Sequence, residues 1–371
     1  MQIAFRTDAS LQMGSGHVMR CLTLADALLA QGAQCHFISR EHPGHLLEVI
    51  RQRGHTVAAL PADKLMSATT GDDSALQPTH AAWLGCDWQT DDRQTGAILA
   101  DLQPDWLVVD HYALDQRWEE ALAAHYRHLL VIDDLADRPH RCDLLLDQNL
   151  GRQPQDYAAL VPPHCQVLTG PHYALLRPEF AALRPYSLQR RQAQPVLRQI
   201  LITMGGVDQP NATGQVLQAL KTCALPSNCR ITVVMGLTAP WLQNVRELAA
   251  QMPWSTEVVV NVNDMAQRMA DSDLAIGAAG STSWERCCLG LPTLMVVLAA
   301  NQMKAAENIQ EAGAANCFTF NGSLKQNLQS QVQSLMQTPT RLGTISNCAN
   351  AVTDGLGVER VAATMNRLEL R

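Results

Sequence analysis

Residues 1–22 read MQIAFRTDASLQMGSGHVMRCL. Gln2–Arg6 is a short apolar run, the form of a strand buried on both faces of a sheet. Gly14-Ser15-Gly16-His17 then interrupts the chain, and His17–Gln31 is amphipathic over a helical length. Strand, glycine loop and helix in that order open a doubly wound α/β fold.

The alternation continues outward. Strands are expected at Gln34–Ile38, Trp106–Asp110, Leu129–Asp133 and Leu144–Asp147, with helices at Gly44–Arg53, Arg93–Leu102 and Gln116–Tyr126. Residues 184–199, RPYSLQRRQAQPVLRQ, are rich in Arg, Gln and Pro without a clean apolar period, which reads as a linker. The pattern then restarts. Strands are expected at Ile200–Met204, Ile231–Met235, Val258–Val260, Leu274–Ile276 and Thr293–Leu298. Helices are expected near Ala212–Lys221, Pro240–Met252, Met265–Ala270, Ser283–Leu289 and Met303–Ala312, and a last one at Val358–Leu368. The expected division is a first domain over 1–185, a linker over 186–198, a second domain over 199–354, and a C-terminal helix in 355–371 able to cross back to the first domain. Residues 65–91 carry little regular pattern and read as a surface excursion. Two doubly wound domains joined by one linker would face each other over a cleft lined by strand carboxyl ends, where ligands of open α/β folds bind.

Composition narrows the function. A chain of 371 residues suggests two domains at about 150 residues each. Lys plus Arg is 28 and Asp plus Glu 35, so the formal charge is 28 − 35 = −7, no footprint for nucleic acid. Aromatics are 5%, too few for base-stacking platforms. The best apolar run, Leu291–Ala300, contains Pro292 and is far short of about 18 residues, so no membrane insertion is expected. The N-terminus lacks the apolar core of a signal peptide, and the cytoplasm is the expected compartment. The eleven cysteines then read as free thiols. No C-x-x-C pair or zinc site is evident, and Cys287-Cys288 reads as core.

The motifs sit at expected strand ends. Arg6-Thr7-Asp8 leads to Gly14, Gly16 and His17, where glycines allow close backbone approach and a helix begins. Arg20 and Cys21 stand where a dinucleotide fingerprint would need its third glycine, which disfavours that reading. His17 is either a functional imidazole or an ordinary first-turn residue. Met204-Gly205-Gly206-Val207-Asp208 is either a phosphate approach or a tight turn needing positive φ. Residues 277–285, GAAGSTSWE, bring Ala279, Gly280, Ser281 and Thr282 to a helix start suited to a diphosphate. Glu285 is either part of a capping box with Thr282 or an acceptor for a ribose diol. No P-loop occurs. Asp110-His111-Tyr112, Asp133-Asp134 and Asp147-Gln148-Asn149 complete the polar strand ends. Capping is favoured for Asp133 and Asp134, and Asp110 stays open between capping and chemistry.

FRTD…GSGHVMRCL, VVDHY (108–112), IDD (132–134), LLDQN (145–149), YALLR (173–177), MGGVD (204–208) and the 277–285 segment together resemble the UDP-sugar hydrolases of pseudaminic acid biosynthesis. Those enzymes release UDP from UDP-2,4-diacetamido-2,4,6-trideoxy-β-L-altropyranose, and the family looks like the two-domain GT-B glycosyltransferases. The resemblance covers most of the chain in order. It implies a GT-B-like fold, UDP on the second domain, and the sugar with a catalytic His on the first. It places His17 as general base and Glu285 on the uridine ribose. Arg6, Asp8, Gly14, Gly16, Asp110, Tyr112, Asn149 and Tyr173 are the expected sugar-side residues; Gly205, Gly206, Ala279, Gly280, Ser281, Thr282 and Glu285 are expected at UDP.

The chemistry runs parallel to the resemblance. A diphosphate is a good leaving group, so the reaction needs one water deprotonated and aimed, which a single His can do. One base without a nucleophile implies inversion, and neither metal nor cofactor is expected. The expected partner is a UDP-sugar bound by a monomer. Two rivals are a GT-B UDP-sugar glycosyltransferase, with an acceptor hydroxyl in place of water, and a non-catalytic nucleotide-sugar sensor. Arg190-Arg191 leaves some room for the basic patch of a membrane-acceptor transferase.

Overall fold

The structure is a computed structural model and describes residues 1–62, 78–192 and 196–370. The chain forms two compact units: residues 1–175 with 357–371, and residues 176–356.

The first unit is built on a seven-stranded sheet of β1 (Gln2–Thr7), β2 (Gln34–Arg40), β3 (Thr56–Leu60), β4 (Trp106–Asp110), β5 (His128–Ile132), β6 (Leu144–Asp147) and β7 (Gln166–Thr169). Their order is β3-β2-β1-β4-β5-β6-β7, and every recorded pairing is parallel. Side chains of a strand alternate between faces, so both faces must be apolar when both are covered. Ile3, Phe5, Trp106, Val108, Leu130 and Ile132 pack on one face with the helix Gly16–Ala30. Ala4, Leu107, Val109, Leu129 and Val131 pack on the other with Leu99 and Trp118. The C-terminal helix Gly357–Glu369 belongs to this unit: Val358, Val361, Ala362 and Met365, at helical spacing, join the first of these clusters. It can approach because Gly357 has no side chain; a Cβ there would lie 2.3 Å from the Ala174 carbonyl oxygen.

The second unit carries a six-stranded parallel sheet of β8 (Gln199–Thr203), β9 (Arg230–Met235), β10 (Ser255–Val260), β11 (Leu274–Ala278), β12 (Thr293–Val297) and β13 (Asn316–Thr319), ordered β10-β9-β8-β11-β12-β13. In both sheets the order reverses beside the first strand, between β1 and β4 and between β8 and β11. A reversal splays the flanking crossovers apart and opens a crevice at the strand carboxyl ends. The loops after β1, β4, β8 and β11 therefore lie where such sheets take ligands.

One expectation fails here, and a second falls partly outside the described residues. Most of the expected linker is helix, Pro178–Gln192, within the second unit. Its arginines do not mark solvated chain: they donate to carbonyls at the ends of neighbouring helices. Arg184 meets Cys288, Asn350 and Thr353; Arg191 meets Met269, Ser272 and Leu289. Cations there offset the negative end of a helix and satisfy its last carbonyls, a pattern that leaves no apolar period to read. Arg190 pairs with Asp273, so the pair offers no free basic patch. The expected excursion over 65–91 falls partly outside the described residues; in the described part, Ala81–Leu84 is a 3-10 turn and a helix already starts at Trp88.

Candidate functional site

In the first unit the chain leaves β1, turns through Gly14 at φ 79° and enters the helix at Gly16. His17 is then in the first turn, beside the end of β4. Its Nδ1 is 2.6 Å from Asp110 Oδ1. Asp110 is wholly buried, and Arg20, one turn beyond His17, grips it with Nε at 2.6 Å and Nη2 at 2.7 Å. Burial alone would raise the Asp110 carboxyl, but Arg20 and then His17 outweigh it and hold the group well below the usual carboxylate range. An ionised Asp110 can only accept, so the short bond puts a proton on Nδ1, and in the neutral imidazole the lone pair is then on Nε2. That is the tautomer a general base needs.

The same group extends sideways. Arg20 Nη1 donates to Asp134 Oδ2 at 2.7 Å, and the Tyr112 hydroxyl donates to the same oxygen at 2.6 Å. Asn149 Nδ2 reaches Asp134 at 3.3 Å. The Tyr112 ring meets the His17 ring edge-on at 4.6 Å and stacks with Trp83 at 5.8 Å, while His80 lies 5.6 Å from Tyr112. His17, Asp110, Tyr112 and Asn149 are thus brought together, with Gly14 and Gly16 in the loop that starts the helix. Tyr173 packs against the apolar cluster instead.

Arg6 and Asp8, expected at the sugar, are wholly buried. Arg6 Nη1 lies 2.7 Å from Asp8 and Nη2 2.6 Å from Asp91, which also binds Arg40 at 2.7 Å. Asp8 accepts from the Arg40 backbone N–H at 2.7 Å. These charges fix the ends of β1 and β2 from within and offer no surface to a ligand. Capping is also wrong for Asp133 and Asp134, because no helix follows them: Asp133 ties the Ala136 N–H and Arg138, and Asp134 serves the site. Sequence reasoning named Arg20 only as a missing glycine and overlooked Trp83 and His80. The spacing of His17 and Arg20 along one helix face was the available signal for Arg20.

In the second unit Gly205 has φ 89°, the turn geometry, and both Gly205 and Gly206 are exposed. The following helix, Ala212–Leu220, has its first N–H groups met by Asp208 and Asn211. After β11 come buried Ala279, exposed Gly280 and Ser281, and half-buried Thr282. The short helix Thr282–Cys288 has Ser281 as N-cap with no side-chain capping bond, so the capping-box alternative for Thr282 and Glu285 does not hold. The Glu285 carboxylate lies 3.8 Å from Arg177 Nη2, and burial pushes its pKa up to about 7. Among the described residues no group of three or more His, Cys, Asp or Glu is placed to hold a metal ion, and no helix is long and apolar enough to cross a membrane.

Known proteins share this architecture. The Glycosyltransferase family 28 C-terminal domain matches residues 199–361, less than half of the chain. An uncharacterized protein, MJ1062, of Methanocaldococcus jannaschii is 24% identical over 82% of this chain, which spans 57% of that protein's length. The UDP-2,4-diacetamido-2,4,6-trideoxy-β-L-altropyranose hydrolase of Campylobacter jejuni is 23% identical over 84% of this chain and 97% of its own. Among solved structures, Acinetobacter baumannii MurG superposes with a TM-score of 0.70 at 17% identity, covering 99% of both chains. The fold is the two-domain α/β architecture of the GT-B glycosyltransferases.

Proposed function

We propose that this chain is a UDP-sugar hydrolase of pseudaminic acid biosynthesis, acting on UDP-2,4-diacetamido-2,4,6-trideoxy-β-L-altropyranose in the cytoplasm. The observation that carries the reading is the His17–Asp110 pair, an imidazole held at Nδ1 by a buried, ionised carboxylate at the reversal point of the sheet. The near-full-length match to the Campylobacter enzyme supplies the substrate class.

In this reading the second unit binds UDP, with Glu285 on the ribose diol and the 204–206 and 279–282 loops at the diphosphate. The first unit binds the sugar through Tyr112 and Asn149. His17 Nε2 takes a proton from water as its oxygen attacks the anomeric carbon, the C–O bond to UDP breaks with its electrons going to the diphosphate, and the configuration inverts. Asp110 stabilises the imidazolium that forms, and Arg20 keeps Asp110 ionised. A metal-free reaction fits a leaving group of this quality.

The transferase reading is favoured by a different observation, the family 28 match over the second unit. One experiment separates them. Pure protein is incubated with the UDP-sugar in ¹⁸O-labelled water. Hydrolysis releases UDP without an acceptor and puts the label on the sugar's anomeric hydroxyl, inverted in the first-formed product. UDP release only after an acceptor is added favours the transferase. Label in UDP means attack at phosphorus and removes His17 from the mechanism.

A further inference from the structure

Glycine loops and hydroxyls alone would meet the diphosphate in this scheme, yet the second unit contains a buried guanidinium that forms no ion pair with a carboxylate of the described residues. Arg286 is 1% exposed. Its Nη2 donates to the Ala278 carbonyl at 2.7 Å and to Ser283 Oγ at 3.1 Å. Its Nε and Nη1 are buried and meet no acceptor among the described residues. Elsewhere buried guanidiniums are matched: Arg6, Arg20, Arg40 and Arg138 pair with carboxylates, and all three nitrogens of Arg191 donate to carbonyls. Glu285, its neighbour in sequence, is paired with Arg177 instead. Burial pulls the Arg286 pKa down to about 10, outweighing the upward pull of Cys287, Glu285 and Cys317. A charge in that condition is expensive to keep unless something else uses it.

Its location says what. Nη1 lies 2.1 Å from where a Cβ on Gly277 would stand, and the Thr203 carbonyl oxygen is 3.0 Å from the same point. Gly277 and Thr203 are paired across β11 and β8, the two strands that flank the reversal of this sheet. The guanidinium therefore sits beneath the junction of the two loops that leave those strands, Met204–Asp208 and Ala279–Thr282. Glycine at 277 is what lets it come so close to the backbone.

We propose that Arg286 is the fixed positive charge of an anion site over these two loops, and that the anion is the diphosphate of a nucleotide. The identity of the nucleotide rests on the function proposed above; the anion site does not. Arg286 is a positioning residue. It acts through the Ala278 carbonyl and the Ser283 hydroxyl, which it fixes, and through its field at short range in a medium of low dielectric. It does not touch the ligand.

The test is calorimetric titration of wild type, Arg286→Gln and Arg286→Lys with uridine, UMP and UDP, beside thermal melts. Wild type should bind more tightly with each added phosphate. Arg286→Gln should weaken UDP by about 10- to 100-fold while uridine is unchanged, and Arg286→Lys should restore most of the difference. Equal losses for uridine and UDP, or no loss for UDP, would overturn the proposal, because a purely structural arginine has no reason to discriminate by phosphate number. If Arg286→Gln does not fold, Gly277→Ala takes its place: the new methyl displaces the guanidinium without removing it, and the same two outcomes apply. Wild type that binds inorganic pyrophosphate but none of the uridine ligands would sink the UDP-sugar assignment and leave the anion site standing.

Discussion

His17, Asp110 and Arg20 act in series, since Arg20 keeps Asp110 charged and Asp110 keeps His17 in one tautomer. Asp110→Asn breaks both links and leaves Arg20 with a buried charge that only Asp134 still meets. It should lower kcat by roughly 10²–10⁴ fold and cost about 3–5 kcal/mol of stability at pH 7, read by UDP release and urea unfolding. The folded carboxyl of Asp110 lies below its unfolded value, so its contribution is present above the unfolded pKa and fades as pH falls beneath it. The stability gap between wild type and variant should therefore narrow only in acid. Glu285 has the opposite sign. Its folded pKa is pushed up to about 7, so the native state holds a proton that the unfolded chain releases at lower pH, and stability falls as pH rises through that window. Glu285→Gln should melt higher than wild type at pH 8, by roughly 1–3 kcal/mol, and lose the advantage by pH 5, while UDP affinity drops roughly 5- to 10-fold. Unchanged UDP affinity would take Glu285 away from the ribose.

At the scale of elements, the helix Pro178–Gln192 is held by polar contacts. Arg191 donates to four carbonyls, at 2.6, 2.9, 3.1 and 3.4 Å. Arg191→Met should leave those carbonyls unsatisfied and cost about 2–3 kcal/mol in urea unfolding, with Arg191→Lys recovering less than half because it lacks the fork. An unchanged midpoint would mean that water replaces the guanidinium. Such contacts explain which elements can be read from sequence. Central strands such as Trp106–Asp110 and Leu144–Asp147 are buried throughout, and apolar up to the aspartate that ends each, because both faces are covered. The strands with no sequence signal, β3, β7 and β13, all lie at sheet edges, are only partly buried, and are short. Likewise the site was legible where backbone punctuation marks it, in the glycine loops and at His17. It was not legible where long-range ion pairs decide a side chain's fate: nothing local shows that Arg6 is engulfed by Asp91 from 85 positions away, whereas Arg20 shares a helix face with His17.

At the scale of the whole molecule, both units share the same logic of a parallel sheet reversed beside its first strand, with no sequence repeat between them. They differ in how the chain completes them. The second unit is continuous, residues 176–356, whereas the first needs residues from both ends of the sequence. During synthesis the ribosome must therefore make the entire second unit before the helix that carries Val358, Val361 and Met365 exists. At about 5–20 residues per second, that is a wait on the order of ten to forty seconds. Throughout it, part of the apolar cluster around Val18 and Leu22 has no cover. The unit that begins last is therefore the first that can finish.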